Sequence, residues 1–82
     1  MEDGYVLQRP IQIYLERLQD GEMLATFRDA NIAISGHSEQ DAFQSLFAEI
    51  LDTFDDLVEN EGDLGPDASR QLDVLRTYIV KA

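Results

Sequence analysis

The stretch "ISGHSEQDAFQSLFAEI", residues 34–50, joins a β-like run to a long amphipathic pattern, and it decides the fold. Its centre, "GHSEQDA", fits either a catalytic elbow around Ser38 and His37 or the start of a helix. A nucleophile elbow has glycine on both sides of its serine, whereas here only Gly36 precedes Ser38. His37 is the single histidine of the chain, and a sequence neighbour is poorly placed to take a proton from Ser38. We therefore predict no catalytic residue and a protein that is not an enzyme.

The helix interpretation gives Gly36, Ser38 and Asp41 of "GHSEQDA" a role each. Ser38 is predicted to be the N-cap, its hydroxyl accepting a backbone N–H of the first turn. Asp41, three residues on, fits a variant of the capping box, and the helix dipole favours its charge. Gly36 is predicted to supply a backbone angle that other residues avoid, where a strand turns into the helix. The pattern therefore predicts a helix that begins at residue 38.

Two helices are predicted in the second half of the chain. From Glu39 to about Asn60, apolar residues recur at helical spacing, which predicts a long helix over residues 38–61. Pro66 suits the first turn of a second helix, predicted over residues 66–80. The end of this segment, "TYIV" at residues 77–80, fits either the helix or a final strand.

Short strands are predicted upstream of the helix. Alternation over Ile11–Leu18 predicts a half-buried strand, and Pro10 indicates that this strand is an edge strand or bulged. The hairpin signal Asp20-Gly21 precedes two further short strands. The sequence therefore predicts a single α+β domain over residues 1–82. Its three-stranded antiparallel meander, residues 11–36, packs against the long helix, and the C-terminal helix completes the layer.

The other face of this sheet and the wide apolar stripe of the long helix both need cover. Tyr14, Met23 or Phe27 is expected on the uncovered sheet face. The stripe contains Phe43, Leu46, Phe47 and Ile50, which is more apolar surface than three strands cover alone. We therefore expect a homodimer or a higher homo-oligomer.

The composition limits the classes of partner. The chain has 17 acidic and 6 basic residues, a net charge of −11. This charge repels phosphate backbones, so we predict no direct nucleic-acid binding, and it favours a basic protein partner. Solubility or an acidic, salt-adapted proteome explains the same charge. The chain has no cysteine and no run near the roughly 18–20 apolar residues of a membrane span. We predict a cytoplasmic protein without membrane contact and without a cofactor.

Carboxylates crowd the end of the long helix, where they oppose the helix dipole. This placement indicates a use, such as receiving a basic partner. The predicted partner-binding residues are Asp52, Asp55, Asp56 and Glu59. Carboxylates also bind Mg²⁺ or Ca²⁺, but the spacing around Gly62 does not match a calcium-binding helix-loop-helix, so no metal site is predicted. A solvated polar face and an acidic proteome remain alternative explanations.

Residues 20–57 resemble the HicB-like antitoxin superfamily. The turn and cap motif is carried by Gly36, Ser38, Asp41 and Ala42, the preceding hairpin turn includes Gly21, and His37 stands where the family often has aspartate. The resemblance implies a small partial RNase H-like domain without nuclease activity. It also implies a non-enzymatic module that sequesters a small basic RNA-cleaving toxin.

Many such antitoxins carry a DNA-binding part as well. After residue 66 this chain has room for one helix, and its basic residues there are Arg70, Arg76 and Lys81. Operator binding is therefore not expected. The alternative function is that of a stand-alone oligomeric domain of the same fold, without a toxin, which serves as an adaptor or structural protein.

Overall fold

The computed structural model describes residues 4–81 and confirms the predicted α+β fold. A three-stranded antiparallel sheet, in the order β2-β3-β4, packs against α1, and α2 packs beside α1. Short 3₁₀ turns lie at Arg28–Ala30 and Glu61–Asp63. The elements in chain order are β1 (Tyr5–Leu7), β2 (Tyr14–Arg17), β3 (Met23–Phe27), β4 (Ile32–Gly36), α1 (Glu39–Glu59), α2 (Pro66–Tyr78) and β5 (Ile79–Lys81).

The first strand of the meander is an edge strand, as predicted, but it is shorter and more exposed than predicted. It begins at Tyr14 instead of Ile11. Leu15 lies opposite Ala25, on the side of the sheet that faces α1, yet its side chain is 43% exposed. The turn to β3 has the predicted form, because Gly21 adopts φ 89° and Asp20 Oδ1 accepts the Glu22 N–H at 3.0 Å.

The core lies between β3, β4 and the two helices. Alternate residues of β3, namely Met23, Ala25 and Phe27, are buried, because strand periodicity directs them all toward α1. The expectation of Met23 or Phe27 on the uncovered face is therefore wrong. Tyr14 does lie there, opposite Thr26, and the Arg28 guanidinium carbon is 3.7 Å from the centroid of the Tyr14 ring.

A two-stranded ribbon, formed by β1 and β5, is separate from the three-stranded sheet and also contacts α1. The two strands pair antiparallel, with Leu7 opposite Ile79. The Tyr5 ring meets Phe54 of α1 edge to face at a centroid distance of 6.5 Å. Both alternatives for "TYIV" are partly correct, since α2 continues through Tyr78 and a strand follows at once.

The apolar stripe of α1 is largely buried within one chain. Leu46 and Ile50 have no exposed surface, and Phe47 is half-buried. Phe43 alone among the four stripe residues stays exposed, at 47%. The homo-oligomer remains a prediction, but its interface has to involve surfaces other than the buried part of this stripe. Over residues 4–81, neither α-helix is long and apolar enough to cross a membrane.

Candidate functional site

The junction between β4 and α1 is a helix cap, as predicted. Ser38 has an extended backbone, with φ −145°, and its Oγ accepts the Asp41 N–H at 3.1 Å. Asp41 Oδ2 in turn accepts the His37 N–H at 2.9 Å. The aspartate therefore reaches the residue before the cap, which satisfies two backbone N–H groups of this turn between the two side chains.

Gly36 is required at this junction for a different reason from the predicted one. The positive-φ glycines of residues 4–81 are Gly4 and Gly21, so Gly36 does not use an angle closed to other residues. A Cβ on Gly36 would lie 2.6 Å from the Ala42 nitrogen and 2.8 Å from its Cα. The glycine lets the end of β4 touch the backbone of the first turn of α1, and this contact fixes where the helix starts.

His37 and Ser38 have separate structural contacts. The His37 side chain is 89% exposed, and its Nδ1 lies 3.0 Å from Glu22 Oε2. The Ser38 hydroxyl accepts the backbone hydrogen bond of the cap. These contacts assign Ser38 to the helix start and His37 to a surface contact with the turn before β3.

A shallow, open groove of about 570 Å³ runs along the polar side of α1. We call it the acidic groove and define it by Glu49, Asp52, Asp56 and Glu59, which are all exposed and which all border it. Three of the four predicted partner-binding residues therefore lie together. No Lys, Arg or His side chain within residues 4–81 forms an ion pair with any member of the acidic groove. The last turn of α1 also contains no basic residue.

Asp55, the fourth predicted residue, borders the same groove but has structural contacts. Its Oδ2 accepts a hydrogen bond from the Tyr5 hydroxyl, and Lys81 Nζ lies 2.9 Å from its Oδ1. The hydrogen bond from Tyr5, followed by that from Lys81, holds the pKa of Asp55 below its usual value. Asp55 therefore ties both strands of the ribbon to α1, and we assign it to the fold.

Glu49 and Gln71 border the groove but are not among the predicted partner-binding residues. Glu49 stands three residues before Asp52 and seven before Asp56, so helical spacing places it on the same face of α1 as these two residues. Gln71 reaches the groove from α2, and its Nε2 donates to the Ala30 carbonyl at 2.8 Å. No sequence signal indicates Gln71, because its position depends on how α2 packs.

The acidic groove does not have the geometry of a metal centre. Among the described residues, no group of three or more His, Asp or Glu side chains is arranged to hold a metal ion. A bidentate ion pair lies outside the groove: Arg76 Nη1 and Nη2 donate to the two carboxylate oxygens of Glu61 at 2.6 and 2.7 Å. These hydrogen bonds lower the pKa of Glu61 and raise that of Arg76.

The chain has no match among models of known protein families, curated proteins or solved structures. The assignment of a function therefore depends on the geometry of this chain. The resemblance of residues 20–57 to HicB-like antitoxins stays a prediction drawn from the strand order, the hairpin and the cap motif.

Proposed function

We propose that the protein is a non-enzymatic binding module of the HicB antitoxin type, whose acidic groove receives a small basic RNA-cleaving toxin. The observation that supports this proposal is a run of four exposed carboxylates along one open groove, none of which forms an ion pair with a Lys, Arg or His side chain of residues 4–81. Charges left unpaired in this way are available to a partner.

The position of the groove on α1 supports the proposal. Asp56 and Glu59 lie in the last turns of α1, where the carbonyl ends of the helix are already negative. Carboxylates there raise the free energy of the isolated domain by about 0.3–1 kcal/mol each when they are poorly screened. A basic surface docked on the groove offsets this repulsion.

The chemistry of the proposed partner matches that of the groove. A protein that cleaves RNA holds phosphates with Lys and Arg side chains. Carboxylates four residues apart, such as Asp52 and Asp56, are about 6 Å apart along the helix axis. Such a row presents negative charge at regular intervals to those cations. Sequestration then means that the groove and the RNA compete for the same basic surface.

The test compares two variants that each remove three negative charges. The groove triple variant is Asp52→Asn, Asp56→Asn and Glu59→Gln; the control triple variant is Glu16→Gln, Asp63→Asn and Asp73→Asn. All six positions are exposed, and the control positions lie outside the groove. Asp55 is kept in both variants, because its loss would loosen the ribbon.

The assay uses a small basic RNA-cleaving protein with a double-stranded-RNA-binding-like fold, encoded beside this chain and purified separately. Association rates are measured across a salt series, together with inhibition of RNA cleavage. We expect the groove triple variant to associate at least about tenfold more slowly and with a flatter salt dependence, since steering charges act mainly on the association rate. The control triple variant should behave like wild type.

Equal rates and equal salt slopes for the two triple variants would refute the role of the groove. If the wild-type chain neither binds the basic protein nor inhibits RNA cleavage, the result favours the stand-alone oligomeric domain that serves as an adaptor or structural protein.

A further inference from the structure

One edge of the ribbon is open and borders an apolar groove. β5 pairs with β1 on one side. Beside β5 lies a groove of about 310 Å³, lined by Phe54 and Val58 of α1, by Arg76 of α2 and by the three residues of β5. Residues Tyr5–Leu7 of β1 do not line it. The groove therefore lies on the side of β5 that β1 leaves free.

The backbone of β5 presents one donor and a complementary acceptor at this edge. The Gln8 N–H donates to the Tyr78 carbonyl at 2.7 Å, and the alternation of an antiparallel pair then directs the polar backbone groups of Val80 toward β1. Those of Ile79 and Lys81 point the other way. The Ile79 N–H closes the helix by donating to Leu75. The Ile79 carbonyl and the Lys81 N–H therefore face the open edge.

We propose that a second copy of this chain docks there, so that two β5 strands pair antiparallel about a two-fold axis at Val80. In this register the Lys81 N–H of each copy donates to the Ile79 carbonyl of the other. The pattern is self-complementary, as an isologous interface requires. Two marginal two-stranded ribbons become one four-stranded sheet, which is a more stable unit.

The charge distribution favours a second copy at this end of the molecule. Arg9 donates to the Tyr78 hydroxyl just before β5, Arg76 lines the groove, and Lys81 belongs to β5. These three are half of the six basic residues of a chain with net charge −11. Arg76 and Lys81 are paired with Glu61 and Asp55. Within residues 4–81, these acidic side chains at the ribbon end are therefore compensated by cations, while those of the acidic groove are not. Two acidic chains meet with least repulsion where their cations lie.

The outer face of the ribbon contributes an apolar contact. Val6 and Val80 are cross-strand partners, and their side chains are 48% and 38% exposed. In the dimer, the two Val80 side chains lie directly opposite each other across the two-fold axis, whereas each Val6 lies one strand further out and outside this contact. The interface uses no residue that defines the acidic groove, so this proposal does not depend on the proposed function.

The first experiment places charge on the proposed two-fold axis. Wild type, Val80→Glu, Val80→Lys and the matched control Val6→Glu are compared by analytical ultracentrifugation over a concentration series. Like charges that face each other across paired strands are destabilising. We expect wild type and Val6→Glu to sediment at twice the 9.3 kDa chain mass. Each Val80 variant should have a dimer dissociation constant at least about tenfold higher than that of wild type. An equimolar mixture of the two Val80 variants should re-form a dimer.

The second experiment removes the backbone donor. Lys81→Pro lacks the N–H that faces the open edge, whereas Lys81→Ala keeps it; both lose the ion pair with Asp55. We expect the proline variant alone to be monomeric, with circular dichroism confirming that both variants are folded. A monomeric wild type at high micromolar concentration would overturn the proposal. So would a Val80→Glu dimer, or a dimer that Phe43→Ser dissociates and the Val80 variants leave intact.

Discussion

Replacement of Gly36 by alanine tests how the strand-to-helix junction is built. The added Cβ would lie 2.6 Å from the Ala42 nitrogen and 2.8 Å from its Cα. These atoms belong to the backbone of a capped first turn, so they cannot rotate away as a flexible side chain would. Either β4 or the start of α1 has to move, and Ala42, which is fully buried, moves with the helix.

We expect Gly36→Ala to lower the free energy of unfolding by about 2–3 kcal/mol, the upper part of the range of about 1–3 kcal/mol that is typical of overpacking, because the clash is with backbone atoms. For a domain of this size that corresponds to a fall in Tm of about 10–20 °C. Thermal and urea unfolding, followed by circular dichroism, measure both quantities. Gly62→Ala is the matched control, since a Cβ there meets nothing within 4 Å, and its stability should change by less than about 0.5 kcal/mol. If Gly36→Ala is as stable as this control, close backbone approach is not what fixes the junction.

Three further predictions concern the cap, the ribbon and the groove. Ser38→Ala should lower the free energy of unfolding by about 0.5–2 kcal/mol, and His37→Ala should change it by less than about 0.5 kcal/mol. Urea titrations that rank the two the other way would contradict the cap assignment. The lowered pKa of Asp55 means that its ionised form stabilises the fold above its unfolded pKa of about 3.9 and that this stabilisation is lost as the pH falls through the folded pKa. Asp55→Asn should therefore have a lower Tm than wild type at pH 7. Thermal melts from pH 7 to 2 should show this difference in Tm disappearing below about pH 4. A difference in Tm that does not depend on pH would mean that the ionised carboxylate does not hold the ribbon on α1. The groove triple variant should be as stable as wild type or slightly more so, which melts at low salt will show; a large loss of stability would mean that these carboxylates support the fold.

The parts of the fold that the sequence predicted are those set by local signals. The cap at Ser38 follows from side-chain chemistry within four residues, and α1 follows from a long apolar period. The turn at Gly21 uses a positive φ, and the hairpin signal Asp20-Gly21 predicts such a turn. The predicted closeness of Asp52, Asp56 and Glu59 rests on the same helical geometry, so the part of the candidate site that lies on one helix was predictable.

The parts that were not predicted depend on contacts between distant segments. β1 and β5 have three residues each, too few for their periodicity to identify them or their pairing. Asp55 is among the predicted partner-binding residues because it belongs to the carboxylates at the end of the long helix, whereas Tyr5 and Lys81 bind its carboxylate at the ribbon. A pattern along the chain predicts which face of a helix a residue occupies, but not which strand comes to meet that face.

The pairing of β1 with β5 makes the topology of this domain nearly circular. Leu7 lies opposite Ile79, so the ribbon closes a loop of about 70 residues. The part of the loop-closure entropy that depends on chain length opposes this closure by about 4 kcal/mol. A short linker from residue 81 to residue 5, with new ends opened between Asp20 and Gly21, would turn the ribbon into a local hairpin. The β2–β3 pairing would then become the distant one. Such a permuted chain keeps the strand pairings of the fold but exchanges which pairing forms early and which forms late.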